Sequence, residues 1–479
     1  MAKKMNFPTL HLVIERFGAV RYAKVDVNSL TVVCGKNNMG KTYATYAFYG
    51  FLDFWRRGFM CSLPTAKLKQ LFDSRTVRFE LNELVEWVES MLRKASEAYS
   101  KPEVLSEVFG GDKSFFEHAT FSLALDKNDI HSMLLARSLE KDRRSGQVKL
   151  FDWEFDNQGL CVSFTTAKFV EEVPVVEVFE QRLSDCLKAA VLNGILPTAT
   201  ISCAERTGAV IFQKELDFTR NRIVEMLGGS EADKIPSTLF FRRFSARYPL
   251  PIRRNVDIAR TIPESLRSFL VDGSTPDGKE VMRLFCDIIG GGYKVVKGEI
   301  RFVPKDGKAL RLDMVLSSSS VRALMHLGVY LMYQARIGDI LILDEPEQNL
   351  HPVNQRKIAR LIGRLVNLGV RVFITTHSDY IVREFNNLIM MNKSGKAVEK
   401  IRNQYAYDKG ELLSCDWMNV YCARREKLLV PGNKIQAWVQ TLAGVEVDPV
   451  LGIDAQTFDE TINDMNRLQE ELMFSGDES

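Results

Sequence analysis

Eight consecutive residues constrain this chain more than any others. Gly35-Lys36-Asn37-Asn38-Met39-Gly40-Lys41-Thr42 fits the pattern G-x-x-x-x-G-K-[ST]. The apolar run Leu30 to Cys34 leads into it as a predicted strand, and an aromatic-rich predicted helix, Thr42 to Phe54, leads out. Strand, glycine-containing loop, helix is the order a phosphate cradle requires. Gly35 and Gly40 allow a tight turn whose N–H groups, with the helix N-terminus, face phosphate oxygens, and Asn37 and Asn38 line the same loop. Lys41 neutralises the β- and γ-phosphates, and Thr42 offers its hydroxyl to Mg²⁺. ATP and Mg²⁺ are the expected ligands.

Three later segments fit the same chemistry. Ile340-Leu341-Ile342-Leu343-Asp344-Glu345 is four aliphatics followed by two carboxylates, the pattern of a buried parallel strand with acids at its C-terminal edge. Asp344 is the candidate Mg²⁺ ligand through water, and Glu345 the candidate group that orients or deprotonates the attacking water. Phe373-Ile374-Thr375-Thr376-His377-Ser378 repeats the arrangement and makes His377 a candidate γ-phosphate sensor. Leu316-Ser317-Ser318-Ser319-Ser320 precedes an apolar helix and reads alone as a cap and polar turn.

The 479 residues correspond to about three structural units at ~150 residues each. Hydrophobic residues make up 46% and charged residues 26%, which excludes wholesale disorder. A net charge of +3 confines any nucleic-acid site to a local patch. The longest uncharged stretch, Ala189 to Ala204, contains Asn193, Pro197, Thr198, Thr200 and Ser202 and is unsuited to crossing a bilayer. With no secretory leader either, the chain reads as cytoplasmic. Eight scattered cysteines lack any C-x-x-C pair, which argues against structural zinc.

The pattern divides into an α/β head in two parts. Residues 1–59 carry the phosphate loop, and 198–392 carry the serines, the acidic strand and His377. Residues 60–197 read as a mainly helical insertion with one strand pair near 149–165, and Asn82 as a helix cap near its start. Helices are expected at about 213–228 and 277–289, and a hairpin joins Glu299–Pro304 to Leu310–Val315. Residues 393–479 read as short strands and an amphipathic helix with Phe458, Ile462, Met465, Leu468 and Leu472.

Phosphate loop, serine-rich segment, acidic strand end and histidine, in that order, resemble the ABC-type ATPase heads. The expected fold is therefore an ABC-type P-loop head, a mixed sheet flanked by helices. Asp344-Glu345-Pro346-Glu347-Gln348-Asn349-Leu350-His351-Pro352 is similar to the version found in OLD-like ATPases, as is Ala204-Glu205-Arg206-Thr207-Gly208 after a strand. The resemblance implies two heads sandwiching two ATPs, with Ser317 and Ser319 of one head reaching the γ-phosphate held by Lys41 of the other. Ser318 and Ser319 replace the glycines of the LSGGQ signature, and Gln181 and Gln213 are both weak matches to the family's Q-loop glutamine.

The chain has no D-x-D pair, and only about 90 residues follow the last core strand, so the Toprim nuclease of OLD proteins is not expected here. Among OLD-like heads the layout most resembles AriA-type ATPases of PARIS anti-phage systems, with the Septu ATPases close behind. That resemblance implies a homo-oligomer of ATP-sandwich dimers, extending to a ring, a separate Toprim-type effector and a phage-encoded trigger. The competing reading is a RecF- or SMC-like ATPase that clamps DNA. Residues 242–260, with six arginines and one acid, are a candidate grip for DNA or a DNA-mimicking trigger, or else a solvated surface.

Overall fold

The computed structural model describes residues 7–139, 145–148, 151–156, 158–164, 176–212, 248–260, 267–271, 276–307, 310–453 and 464–472. The helix expected at 213–228, Gln213, the arginines at 242, 243 and 247, and Phe458 and Ile462 lie outside them.

The chain opens with β1 (Leu10–Phe17), β2 (Val20–Val27) and β3 (Leu30–Gly35), and then α1 (Lys41–Asp53). The next stretch holds α2 (Thr65–Ser74), β4 (Thr76–Glu80), α3 (Leu81–Tyr99), α4 (Pro102–Phe109), β5 (Thr120–Ala124) and α5 (Lys127–Leu139). It continues with β6 (Ser145–Val148), β7 (Phe151–Asp156), β8 (Gly159–Phe164) and α6 (Val176–Ala190). After β9 (Ala199–Ser202) come α7 (Arg206–Ile211), α8 (Leu250–Arg260), α9 (Pro276–Ile289), β10 (Gly291–Val296), β11 (Glu299–Pro304) and β12 (Leu312–Asp313). The second half of the head comprises α10 (Ser319–Ala323), α11 (Met325–Val329), β13 (Ile340–Asp344), α12 (Pro352–Asn367), β14 (Arg371–Thr376) and α13 (Asp379–Met390). It is followed by α14 (Lys396–Gln404), β15 (Met418–Leu428) and β16 (Ala437–Val445).

The central sheet has the order β16-β15-β3-β14-β13-β9, parallel except for the antiparallel edge strand β16. Alternate residues of its strands enter two different cores. Val33, Ile340, Ile342 and Phe373 pack on one face; Leu30, Val32, Leu341, Leu343, Val372 and Ile374 pack on the other. A sheet covered on both faces needs apolar side chains at every position, which is why these strands read as unbroken aliphatic runs. This is the mixed, helix-flanked α/β sheet expected of an ABC-type head.

Several local expectations are corrected. The stretch 60–197 contains a four-stranded antiparallel sheet, β4-β8-β7-β6, rather than one strand pair. β5, from the same stretch, pairs with β1. β4 and β5 are five-residue strands with alternate residues buried, too short to show a period in sequence. Asn82 is the second residue of α3; the cap is Glu80, which forms a capping box with Glu83.

The hairpin partner of β11 is chiefly β10, with β12 pairing at only two positions. Beyond 388 the chain forms α14 and then two long strands, followed by the expected short ones, Val447–Asp448 and Gly452–Ile453. The Arg424-Arg425-Glu426-Lys427 run hid β15's length, because those residues run beyond β3, pair only with the edge strand β16 and are largely exposed. Among the described residues no helix is long and apolar enough to cross a membrane.

Candidate active site

The phosphate loop links β3 to α1 at the C-terminal edge of the sheet. Gly40 stands at φ 89°, and a Cβ there would lie 2.5 Å from Val20 Cγ2, so both conformation and space demand glycine. At Gly35 a Cβ would sit 2.8 Å from the Ala423 carbonyl oxygen. Lys41, buried, donates from Nζ to the carbonyls of Gly35 and Lys36, at 2.9 Å each. Its ammonium is thus held inside the loop whose amides would face phosphate. Asn37 and Asn38 are exposed on the loop, Thr42 is half-buried one residue into α1, and α1 has no acidic residue in its first turn. That leaves the positive end of the helix dipole uncompensated for an anion.

β13 and β14 deliver the acids and the histidine to the same edge. In register, Asp344 pairs with Thr375, one residue before Thr376, which pairs with Cys34. Asp344 is fully buried; the Thr375 hydroxyl donates to its Oδ1, while Oδ2 has no partner. Burial pushes its carboxyl up to about 6. A buried carboxylate with one orphaned oxygen, beside the phosphate loop, suits a divalent cation. Among the described residues no group of three or more His, Cys, Asp or Glu is gathered to hold a metal alone. Mg²⁺ there would therefore take Asp344 and Thr42 together with phosphate oxygens and water.

Glu345 adopts a left-handed φ of 50°, rare for a residue with a side chain. Its N–H donates to the Thr375 carbonyl at 3.1 Å, and its Oε2 accepts from Gln348 at 2.8 Å. His377 Nδ1 lies 3.5 Å from Glu345 Oε1 and 3.2 Å from Glu347 Oε1, and the His377 N–H donates to Glu347 Oε1 at 2.7 Å. The contact with His377 holds the Glu345 carboxyl down at about 2 and raises the imidazole. A carboxylate that weak is a poor proton acceptor but a firm hydrogen-bond anchor for a water.

Sequence reading missed several residues here. Glu347 is buried and fixes His377 at both its backbone and its ring. Glu205 follows β9, the neighbour of β13, and accepts from the Tyr46 hydroxyl at 2.7 Å. Gln181, a weak candidate for the Q-loop glutamine, pairs with Asp185 on α6. Arg206 is buried among backbone carbonyls. The Glu-Arg pair stood in plain view, but nothing in its spacing told where the two side chains go.

The serines lie elsewhere, against the second core. Ser317 is buried, with its hydroxyl donating to the Asp313 carbonyl at 2.9 Å. Ser318 caps α10, and Ser318 and Ser319 are exposed. In the arginine-rich stretch, Arg254 pairs with Asp53 at 3.2 Å and Arg253 donates to the Glu107 carbonyl at 2.8 Å. Both tie α8 to its neighbours.

Residues 247–383 match the family described as "AAA domain, putative AbiEii toxin, Type IV TA system". The match takes in the serines, Asp344, Glu345 and His377, and ends short of the phosphate loop's half of the head. Over 70 residues the chain is 31% identical to the cell division ATP-binding protein FtsE of Streptococcus pneumoniae, in strains D39 and R6. That alignment covers 14% of this chain and 30% of FtsE, so the chain spans under a third of those relatives' length.

Among solved structures, an SMC head bound to the C-winged helix domain of ScpA aligns at 12% identity and a TM-score of 0.31, over 79% of this chain and 92% of that one. The SMC head domain from Thermotoga maritima aligns at 11% and 0.30, over 92% and 100%. Sheet order, loop placement and the edge cluster together give the chain the fold of an ABC-type P-loop head.

Proposed function

We propose that the chain hydrolyses ATP in a head-to-head dimer and serves as the sensor and scaffold of an anti-phage system of the PARIS kind, holding a separate toxic nuclease until a phage trigger arrives. The observation that carries the ATPase part is the convergence of Lys41, Asp344, Glu345 and His377 at one sheet edge. The matched family's printed description, a toxin of a toxin–antitoxin system, agrees with a defence role.

Each group has a task in this reading. Lys41 leaves the carbonyls of Gly35 and Lys36 for the phosphates. The loop amides and the α1 N-terminus hold the phosphate chain. Bound Mg²⁺ would supply charge neutralisation between the β- and γ-phosphates, held by Thr42 and Asp344. Glu345, anchored by Gln348, orients the attacking water, and His377 moves between Glu345 and the γ-phosphate. Ser317, once its hydroxyl leaves the Asp313 carbonyl, and the exposed Ser319 approach the partner head's nucleotide. ATP is then a dimerisation ligand, and hydrolysis loosens the dimer.

A RecF- or SMC-like DNA clamp is the second reading. It draws on residues 242–260, and the roles of Arg253 and Arg254 in holding α8 weaken it. The two separate in a pull-down of Glu345→Gln protein from its native host with ATP. A stoichiometric nuclease-like protein on a defined oligomer is the expected result. Recovery of DNA and replication proteins without such a partner would overturn the defence role.

A further inference from the structure

Arg206 is 1% exposed, and four of its N–H···O contacts go to backbone carbonyls. Nε donates to Ala323 at 2.7 Å, Nη1 to Cys203 at 2.9 Å and Asp344 at 2.8 Å, and Nη2 to Glu345 at 2.8 Å. These carbonyls come from three separate places. Cys203 follows β9, Asp344 and Glu345 close β13, and Ala323 is the last residue of α10. A guanidinium is planar, with its five N–H groups in a fixed fork. It therefore holds the three segments at set distances, as the compact ammonium of lysine cannot.

Two details give this clamp a direction. α10 is only five residues long, with Ser318 as its cap and Ala323 at its far end. Five helical residues span about 7.5 Å, so a push on the serines reaches the Ala323 carbonyl with little loss. At the other end, Glu345 is the residue with the left-handed φ. Thr375 fixes its N–H and Arg206 fixes its carbonyl, so the peptide groups on both sides of the strained residue are pinned. The Glu345 side chain can hold a water in place only while they stay so.

We propose that Arg206 is a positioning residue that couples the serine-rich segment, where a partner head docks, to the turn that aims Glu345. Docking at Ser318 and Ser319 sets α10, α10 sets the guanidinium through Ala323, and the guanidinium sets the Asp344–Glu345 turn. A head thereby hydrolyses its own nucleotide only when its serines are engaged on the nucleotide of the other head. This inference rests on the ATPase reading and adds to it a means by which the two sites act together.

The test compares Arg206→Lys with wild type in three readouts: affinity for a fluorescent ATP analogue, turnover, and the cooperativity of turnover with ATP concentration. Affinity should stay within about twofold, turnover should fall at least tenfold, and cooperativity should vanish. Ser319→Arg, which blocks docking at an exposed position, should lower turnover and abolish cooperativity even with Arg206 intact. Arg206→Ala provides the second variant; guanidinium ions should restore part of its turnover, which a misfolded protein would not allow.

Wild-type turnover and cooperativity in Arg206→Lys would overturn the coupling. So would no rescue of Arg206→Ala by guanidinium. Undiminished ATP binding by Lys41→Ala in the same assay would instead remove the ATPase reading, and this inference with it.

Discussion

Asp344 and Thr375 face each other across the parallel pair β13–β14, and the Thr375 hydroxyl satisfies one carboxylate oxygen of Asp344 while the other is left buried and unpaired. The arrangement is unfavourable for a carboxylate alone and favourable for one that receives a cation. Thr375→Val keeps the shape and removes the hydroxyl. It should destabilise the nucleotide-free protein by about 1–3 kcal/mol, the cost of leaving a buried polar group unmade. It should also weaken the Mg²⁺ dependence of turnover. Denaturant titration and a Mg²⁺ titration of ATPase rate check the two halves.

Lys41→Ala should abolish ATP binding, since Lys41 is the cation the loop itself holds. Because its present bonds are to carbonyls of its own loop, removal should leave the fold's melting behaviour close to wild type. Equilibrium binding of a fluorescent ATP analogue is the measurement; normal affinity would remove the phosphate-loop assignment.

A structural prediction concerns His326, which is buried, with Nε2 2.7 Å from the Asn255 carbonyl oxygen and Nδ1 without a partner. Burial lowers its pKa to about 4 from the ordinary 6.5. Between those values the unfolded chain takes up the proton and the folded chain does not, so this group's contribution to stability falls as pH drops from 6.5 towards 4. The full difference is on the order of 3 kcal/mol. Asp339 and Asp344, whose burial raises them to about 6, act in the opposite direction, so the comparison must be with a variant. His326→Gln keeps an amide for the Asn255 carbonyl and should be less sensitive to pH over that range in urea titrations.

The parts of the site legible in sequence were those with a fixed local pattern. Gly35, Gly40, Lys41 and Thr42 are placed by a loop whose geometry their spacing encodes. Asp344, Glu345 and His377 are placed by strand ends, which aliphatic runs mark clearly. What sequence did not reveal depends on contacts across the fold. Ser317 occupies the expected position in the chain, yet its hydroxyl turns back to Asp313, a bond no spacing rule predicts. Arg206 lies 138 residues from Asp344 and binds only backbone, so neither charge pairing nor periodicity announces it. β4 and β5 were missed because five residues are too few to establish a period, and β15 because its charged half runs beyond β3 and pairs only with the edge strand β16.

The central claim is that Glu345 orients the attacking water in a nucleotide site completed by a second head. Its most direct measurement is ATP turnover of Glu345→Gln beside wild type, with native mass determined with and without ATP. The account predicts turnover at least one hundredfold lower, unchanged ATP binding and an ATP-dependent dimer that persists because hydrolysis no longer loosens it. Turnover at the wild-type rate, or a mass that ATP leaves unchanged, would contradict it.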